Sequence, residues 1–215
     1  MGHAEIVKEY LQSGIDINAK DENGFTALTM ACRQGHSDVV KILLDHGADI
    51  HVVDKYGWTP LLWAAASTGD PEAVRLLLDH GGDPENTDQY GATVLMKACR
   101  RGFEELVRLL VARNANVNAI DEFGRTALMR AASRGDVAIV QCLLDAGAQT
   151  GVVDQDGATA LIRAAAEGQT EVVRILLEGK ADVQFRDRNG WTALMWASSV
   201  GHAELVDLLK THGAR

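Results

Sequence analysis

The motif Asp-x-x-Gly opens at Asp21, Asp54, Asp88, Asp121, Asp154 and Asp187. The interval is 33 residues, except for 34 between Asp54 and Asp88. A fixed period of this length marks one supersecondary unit used again and again. Such a unit cannot bury its apolar face alone, so it stacks on its neighbours. The chain is therefore expected to be quasi-one-dimensional, with stability drawn from contacts between successive units.

One copy, residues 121–153, shows how the unit is built: DEFGRTALMRAASRGDVAIVQCLLDAGAQTGVV. Asp121-Glu122-Phe123-Gly124 is a turn signal, with Asp first and a Gly able to take positive φ. Thr126 is placed to cap the helix that follows. Leu128, Met129, Ala131 and Ala132 predict a short first helix whose small residues let a neighbour approach closely. Gly135 breaks it. Ile139, Val140, Cys142, Leu143 and Leu144 recur at helical spacing and predict a second helix. Gly147 suits the left-handed position that ends it.

Every copy carries Gly-x-Thr-x-Leu and, further on, a run such as Val-Val-x-Ile-Leu-Leu. These residues resemble the ankyrin repeat family, and the resemblance covers the whole chain. It implies an all-α repeat solenoid in which each repeat is a β-turn plus a helix-turn-helix. It further implies a single domain over residues 1–215, with repeats starting near 21, 54, 88, 121, 154 and 187. Residues 1–20 match the second half of a repeat. Gly2-His3 aligns with Gly35-His36 and Gly14 with Gly47, so Ala4 to Gln12 is expected to be an N-terminal capping helix.

The chain departs from the family pattern in one uniform way. The histidine of the family's Thr-Pro-Leu-His motif is absent. Thr29, Leu62, Met96, Met129, Ile162 and Met195 stand there, and only Pro60 keeps the proline. That histidine is understood to brace the turn, so its loss implies that apolar packing does the bracing here. Smaller irregularities are local. Leu61 to Gly69 is one residue longer than Leu28 to Gly35, so the stretch must bulge or lengthen the turn. Asp70-Pro71 reads as N-cap and first-turn proline. Asn114 replaces a helix-ending glycine, and in Gly179-Lys180 the glycine comes one place early.

Composition excludes several classes. No stretch approaches the roughly 18 consecutive apolar residues of a membrane helix. The first twenty residues carry Glu5, Lys8 and Glu9 and do not read as a signal peptide. A net charge of −9 argues against nucleic acid as a partner. No phosphate-binding loop, dinucleotide fingerprint or His-Glu-x-x-His motif is present, so no enzyme, cofactor or metal is expected. Cys32 and Cys99 hold one repeat position two units apart, about 20 Å at ~10 Å per helix layer. That is too far for a disulfide. Together with Cys142 they read as free core thiols of a reducing compartment, cytoplasm or nucleus. His46 and His80 are read as helix C-terminal residues, where positive charge is favourable.

Charge is split between the helices. The inner, first helices hold Arg33, Lys97, Arg100, Arg101, Arg130, Arg134 and Arg163 against one acid, Glu167, in a chain of 30 acids and 21 bases. The outer, second helices carry Asp38, Asp45, Glu72, Asp79, Glu104, Glu105, Glu171, Glu178, Glu204 and Asp207. In the family the inner helices and turn tips line the concave, ligand-facing side. The resemblance thus implies a basic cup with an acidic back.

Lys97, Arg130 and Arg163 share one position in successive repeats, and Arg101 and Arg134 follow three or four residues on. Trp63 and Trp196 stand at the same position in other repeats. The tips add Phe25, Tyr56, Trp58, Tyr90, Phe123, Arg125 and Trp191. Trp, Tyr and Arg anchor interfaces most often. These fourteen residues are the candidate partner-binding set, with the ladder side chains expected to point into solvent. The function expected is non-catalytic recognition, by a monomer, of another protein or peptide that is acidic and has apolar anchors. The alternatives are a small polyanion in the cup or a structural spacer in a larger scaffold.

Overall fold

A computed structural model describes residues 3–215. The expected pairing of Gly2 with Gly35 lies outside the described residues. Thirteen helices follow in chain order: α1 His3–Gln12, α2 Ala27–Gln34, α3 Ser37–Asp45, α4 Pro60–Ala66, α5 Pro71–Asp79, α6 Val94–Arg101, α7 Glu104–Ala112, α8 Ala127–Arg134, α9 Val137–Asp145, α10 Ala160–Ala166, α11 Thr170–Glu178, α12 Ala193–Ser199 and α13 Ala203–Thr211. The residues form two compact units, Met1–Ala115 and Asn116–Arg215. In the first, α2, α4 and α6 pack in one row, and α1, α3, α5 and α7 in another. In the second, α8, α10 and α12 form one row and α9, α11 and α13 the other. Each unit is a helical repeat stack.

The local signals act as the sequence reading requires. Thr26, Thr59, Thr93, Thr126, Thr159 and Thr192 each cap a first helix by accepting a backbone N–H three residues on. That satisfies one of the donors a helix start leaves open. Alanines at the middle of the first helices, among them Ala64, Ala98, Ala131 and Ala164, are fully buried. They let helices of one row approach closely. Leucines and valines of the second helices, such as Leu43, Val74, Leu106, Leu143 and Leu176, supply the larger core side chains.

The irregular stretches resolve simply. Helix α4 stops at Ala66, so the extra residue of the second repeat lengthens the turn through Ser67, Thr68 and Gly69. Asp70 caps α5 by accepting from Glu72 N, with Pro71 in the first turn. Asn114 takes φ of 60°, as an asparagine at a helix end should. In the fifth repeat Lys180 takes the left-handed conformation, φ 62°, and Gly179 does not. Cys32 and Cys99 are buried and form no disulfide. Burial, then the charge of Asp70, pushes the Cys32 thiol pKa well up. Cys142 likewise forms no disulfide but is only half-buried, which corrects its reading as a core residue. At the same repeat position Ile42, Leu109 and Ile175 are half-buried too, whereas Leu76 and Leu208 are buried.

The mid-repeat glycines carry a second constraint beyond their backbone. A Cβ on Gly69, φ 67°, would lie 2.3 Å from Cγ of the Phe103 ring in the next repeat. At the equivalent Gly201, φ 79°, nothing lies within 4 Å. Both sites share the cost of a left-handed side chain, about 1–2 kcal/mol. Only Gly69 adds overpacking, typically ~1–3 kcal/mol. Gly69→Ala should therefore destabilise more than Gly201→Ala in urea unfolding, and combining it with Phe103→Ala should narrow the gap. Equal losses for the two glycines would refute the stacking constraint.

Candidate functional site

The residues expected to bind a partner gather around one recurring element, the turn aspartate. Asp54 Oδ1 accepts the backbone N–H groups of Tyr56 and Trp58 at 2.8 and 3.0 Å. Its Oδ2 accepts Trp63 Nε1 at 2.6 Å. The same arrangement recurs at every later tip. Asp88 takes the amides of Tyr90 and Ala92, and Lys97 Nζ. Asp121 takes those of Phe123 and Arg125, and Arg130 Nη2 at 2.5 Å. Asp154 takes those of Asp156 and Ala158, and Arg163 Nε at 2.7 Å. Asp187 takes those of Asn189 and Trp191, and Trp196 Nε1 at 2.8 Å. These five aspartates are all buried. In the first repeat Asp21 holds the amides of Asn23 and Phe25. Met30 stands nine residues on and offers no donor; Asp21 itself is exposed.

The expectation that the ladder side chains point into solvent is thereby corrected. Lys97 is 7% exposed, and Arg130's side chain retains 13% exposure and Arg163's 35%. A buried carboxylate attracts whatever donor its own first helix offers. Lys, Arg and Trp differ in charge and shape, and what they share is an N–H that reaches nine residues back. The turn is braced by this hydrogen bond and not by apolar packing alone. Apolar packing explains only the motif-histidine position, where Leu62, Met96, Met129 and Ile162 are buried.

The other candidates divide between core, frame and surface. Phe25 is 8% exposed and is a core residue. It meets Trp63 edge-on at 5.7 Å, and Arg33 lies over both rings at 5.6 and 5.1 Å. Trp58 and Trp63 pack at 4.6 Å with their rings tilted by 45°, and the Lys97 ammonium sits 4.4 Å from the Trp58 ring. Trp191 and Trp196 pack at 4.9 Å with their rings tilted by 53°. Arg101 donates to the Ser67 carbonyl and lies over Phe103. Arg134 pairs with Asp136 at 2.6 Å. Arg125 lies over the Phe123 ring at 4.4 Å. The exposed aromatic side chains of the tips are Tyr56 at 53%, Tyr90 at 48%, Trp191 at 38% and Phe123 at 36%.

The second-helix acids are partly neutralised as well. Arg75 bridges Glu72 and Asp79, Arg113 reaches Asp79, Arg108 pairs with Glu104, and Arg174 with Glu171. His46, His80 and His212 each place Nδ1 2.8–2.9 Å from the carbonyl four residues earlier, so they close helix C-termini. The turn aspartates were legible only as turn formers. The signal for their larger role was the constant interval of nine to the Trp, Lys or Arg position.

Burial alone would raise the pKa of Asp88. The hydrogen bonds from Lys97, Ala92 and Tyr90 outweigh it and hold the carboxyl below its usual value. Asp187 is likewise depressed, because bonds from Trp191, Trp196 and Asn189 overcome its burial. A depressed carboxylate contributes stability that is complete above its unfolded pKa, roughly 4, and lost as pH falls through the folded value. Melting temperature should thus hold down to pH of about 4 and then fall, with Lys97→Met removing Asp88's share of that acid slope.

At neutral pH, Lys97→Met should cost about 3 kcal/mol or more, because it strands a buried charge. Trp63→Phe should cost about 1.5–3 kcal/mol, the value of a hydrogen bond to a charged group. Lys97→Glu sets two carboxylates together and should unfold the repeat instead of leaving a folded, inactive surface. Denaturant titration and far-UV circular dichroism decide both points; a Lys97→Glu protein as stable as the parent would refute the brace.

Comparison with known proteins follows this geometry. The family model for ankyrin repeats (3 copies) matches residues 1–88, 62–154 and 128–215. The human ASB11 ankyrin repeat domain is similar in structure, with a TM-score of 0.88, 27% identity, and coverage of 99% of this chain and 94% of that one. The ankyrin repeat domain of Bcl-3, a member of the IkappaB protein family, gives a TM-score of 0.80 at 28% identity, covering 96% of this chain and 91% of that one. An ankyrin repeat domain from Acinetobacter baumannii gives 0.79 at 28% identity, over 87% and 98%. A search of curated proteins gave no significant match. No helix among the described residues is long and apolar enough to cross a membrane. Matched from end to end by the family model, the chain belongs to the ankyrin repeat family, whose domains are generally protein–protein interaction modules and typically non-catalytic.

Proposed function

We propose that this chain is a recognition module that receives a partner protein on its turn tips, through an acidic segment with apolar anchors. The observation that carries this reading is the rigid display of exposed aromatic side chains. Tyr56 and Tyr90 in the first unit, and Phe123 and Trp191 in the second, project from tips whose backbones are tied to buried aspartates. A tip whose backbone is held in place before encounter has less entropy to lose on binding. Large aromatics of this kind supply most of the energy of an interface.

The ladder has a different part in this reading. Lys97, Arg130, Arg163, Trp63 and Trp196 hold the tips, and the tips make the contacts. The cations that favour an acidic segment are those left toward solvent, Arg33, Arg100 and Arg101 in the first unit and Arg125 in the second. A small polyanion gripped by the ladder fits less well, since the ladder bases already face carboxylates.

The test uses the full chain as bait in a lysate of its source cells, at low and at high salt. Species captured at low salt are then assayed against variants. Tyr56→Ala with Tyr90→Ala should lower affinity at least tenfold, mainly through faster dissociation. Arg33→Glu with Arg101→Glu should slow association and weaken the salt dependence. Glu105→Lys with Glu171→Lys, on second helices, should leave affinity within a few fold. Equal losses from the second-helix control would overturn the assignment of the tips.

A further inference from the structure

The tips of the fourth and fifth repeats enclose a notch of about 150 Å³, lined by Phe123, Arg125, Asp154, Gln155, Asp156 and Arg163. The fifth residue of a turn is large in several repeats, namely Phe25, Trp58, Arg125 and Trp191. In the fifth repeat it is Ala158. The two tips are fixed against each other. Gln155 N donates to the Phe123 carbonyl at 2.9 Å, and its Nε2 to that of Glu122 at 2.7 Å.

Charge in the notch is balanced in number but not in place. Asp121 serves two arginines. Its Oδ1 holds two backbone amides and its Oδ2 the Arg130 guanidinium. Arg125 Nε is left 3.4 Å from that same Oδ2, buried and without a hydrogen bond. Arg125 is nonetheless held over the Phe123 ring. Arg163, opposite, serves two aspartates: Nε meets Asp154 at 2.7 Å and Nη2 meets Asp156 at 2.5 Å. The Asp156 side chain is 72% exposed. On one wall Arg125 shares Asp121 with Arg130, and at the rim Asp156 shares Arg163 with Asp154.

We propose that this notch is a subsite for a single carboxylate side chain, Asp or Glu, of the partner protein. The reading rests on the turn tips being the recognition surface and names the group that one of them takes. The ligand carboxylate accepts from the Arg125 guanidinium, and its methylene groups lie against Phe123. A planar guanidinium suits a carboxylate in this way. Asp154 and Asp156 line the same notch, so a dianion such as phosphate meets two like charges and is disfavoured. Asp156 competes with an incoming acid, and removing its charge strengthens the subsite.

The experiment follows the arginine Nε–Hε resonances of the full, 15N-labelled chain. The probes are the capped dipeptide acetyl-Glu-Leu-amide, its glutamine counterpart and inorganic phosphate. The Glu dipeptide should shift the Arg125 resonance to saturation at millimolar concentration, and the Gln dipeptide should not. Arg125→Gln should abolish the saturable response. Asp156→Asn should tighten the Glu dipeptide threefold or more while leaving the spectrum otherwise folded. The subsite is overturned if the Gln dipeptide acts like the Glu dipeptide, if phosphate binds more tightly than either, or if Asp156→Asn weakens binding. A silent notch alongside intact, Tyr56- and Tyr90-dependent partner capture would sink the subsite and leave the recognition reading standing.

Discussion

The structure depends first on a buried carboxylate that must be satisfied. An ionised aspartate taken out of water is costly unless its lone pairs are used. At five tips the solution is the same: one oxygen for two backbone amides, the other for a donor nine residues on. The first use closes the turn. The second ties the turn to the first helix of its own repeat. Tip and helix are thereby tied together in each of these repeats. Asp21 marks the boundary of the rule, since it is exposed, faces no donor at Met30, and keeps only the turn-closing half.

This constraint explains why positions that looked like a ligand-binding ladder hold such different residues. A surface selected for an anion would keep bases at every step. A brace needs only an N–H of sufficient reach, which Trp63 and Trp196 supply as well as Lys97, Arg130 and Arg163. It also reassigns the charges. Three bases of the apparent cup are spent inside their own repeats. What faces outward is a set of four aromatic side chains on the tips, Tyr56, Tyr90, Phe123 and Trp191, together with four arginines, Arg33, Arg100, Arg101 and Arg125.

Between repeats the governing contact is one of shape. In a repeat stack each interface carries the stability of its neighbours, so small misfits are felt directly. Residues at the start of the second helices lie over the glycine of the preceding repeat, as Phe103 does at Gly69, Gln169 at Gly135 and His202 at Gly168. The glycine therefore serves its own helix end and its neighbour's side chain together. Close packing of this kind is why Ala, at the first helices, and Gly, at the turns, recur with the period of the chain.

The sequence by itself determined the period, the helix pairs, the threonine caps and the proline-started α5, because each follows from rules that act within a few residues. It also determined the family, since six copies in register leave little freedom. Only the tertiary structure decided which of the polar side chains were spent. Trp63, Lys97 and Arg163 are nine residues from their aspartates, an interval that matches neither the period of a helix nor that of a strand. Whether such a side chain turns back to the carboxylate or out to water depends on the burial of the aspartate. At Asp54, Asp154 and Asp187 the tip of the preceding repeat closes over the backbone, through Gly24, Gly124 and Gly157. The same holds for Phe25, a tip aromatic by position and a core residue by contact with Trp63 and Arg33. It holds for Cys142 too, whose apolar spacing was plain but which is only half-buried, while Leu76 and Leu208 at the same repeat position are buried.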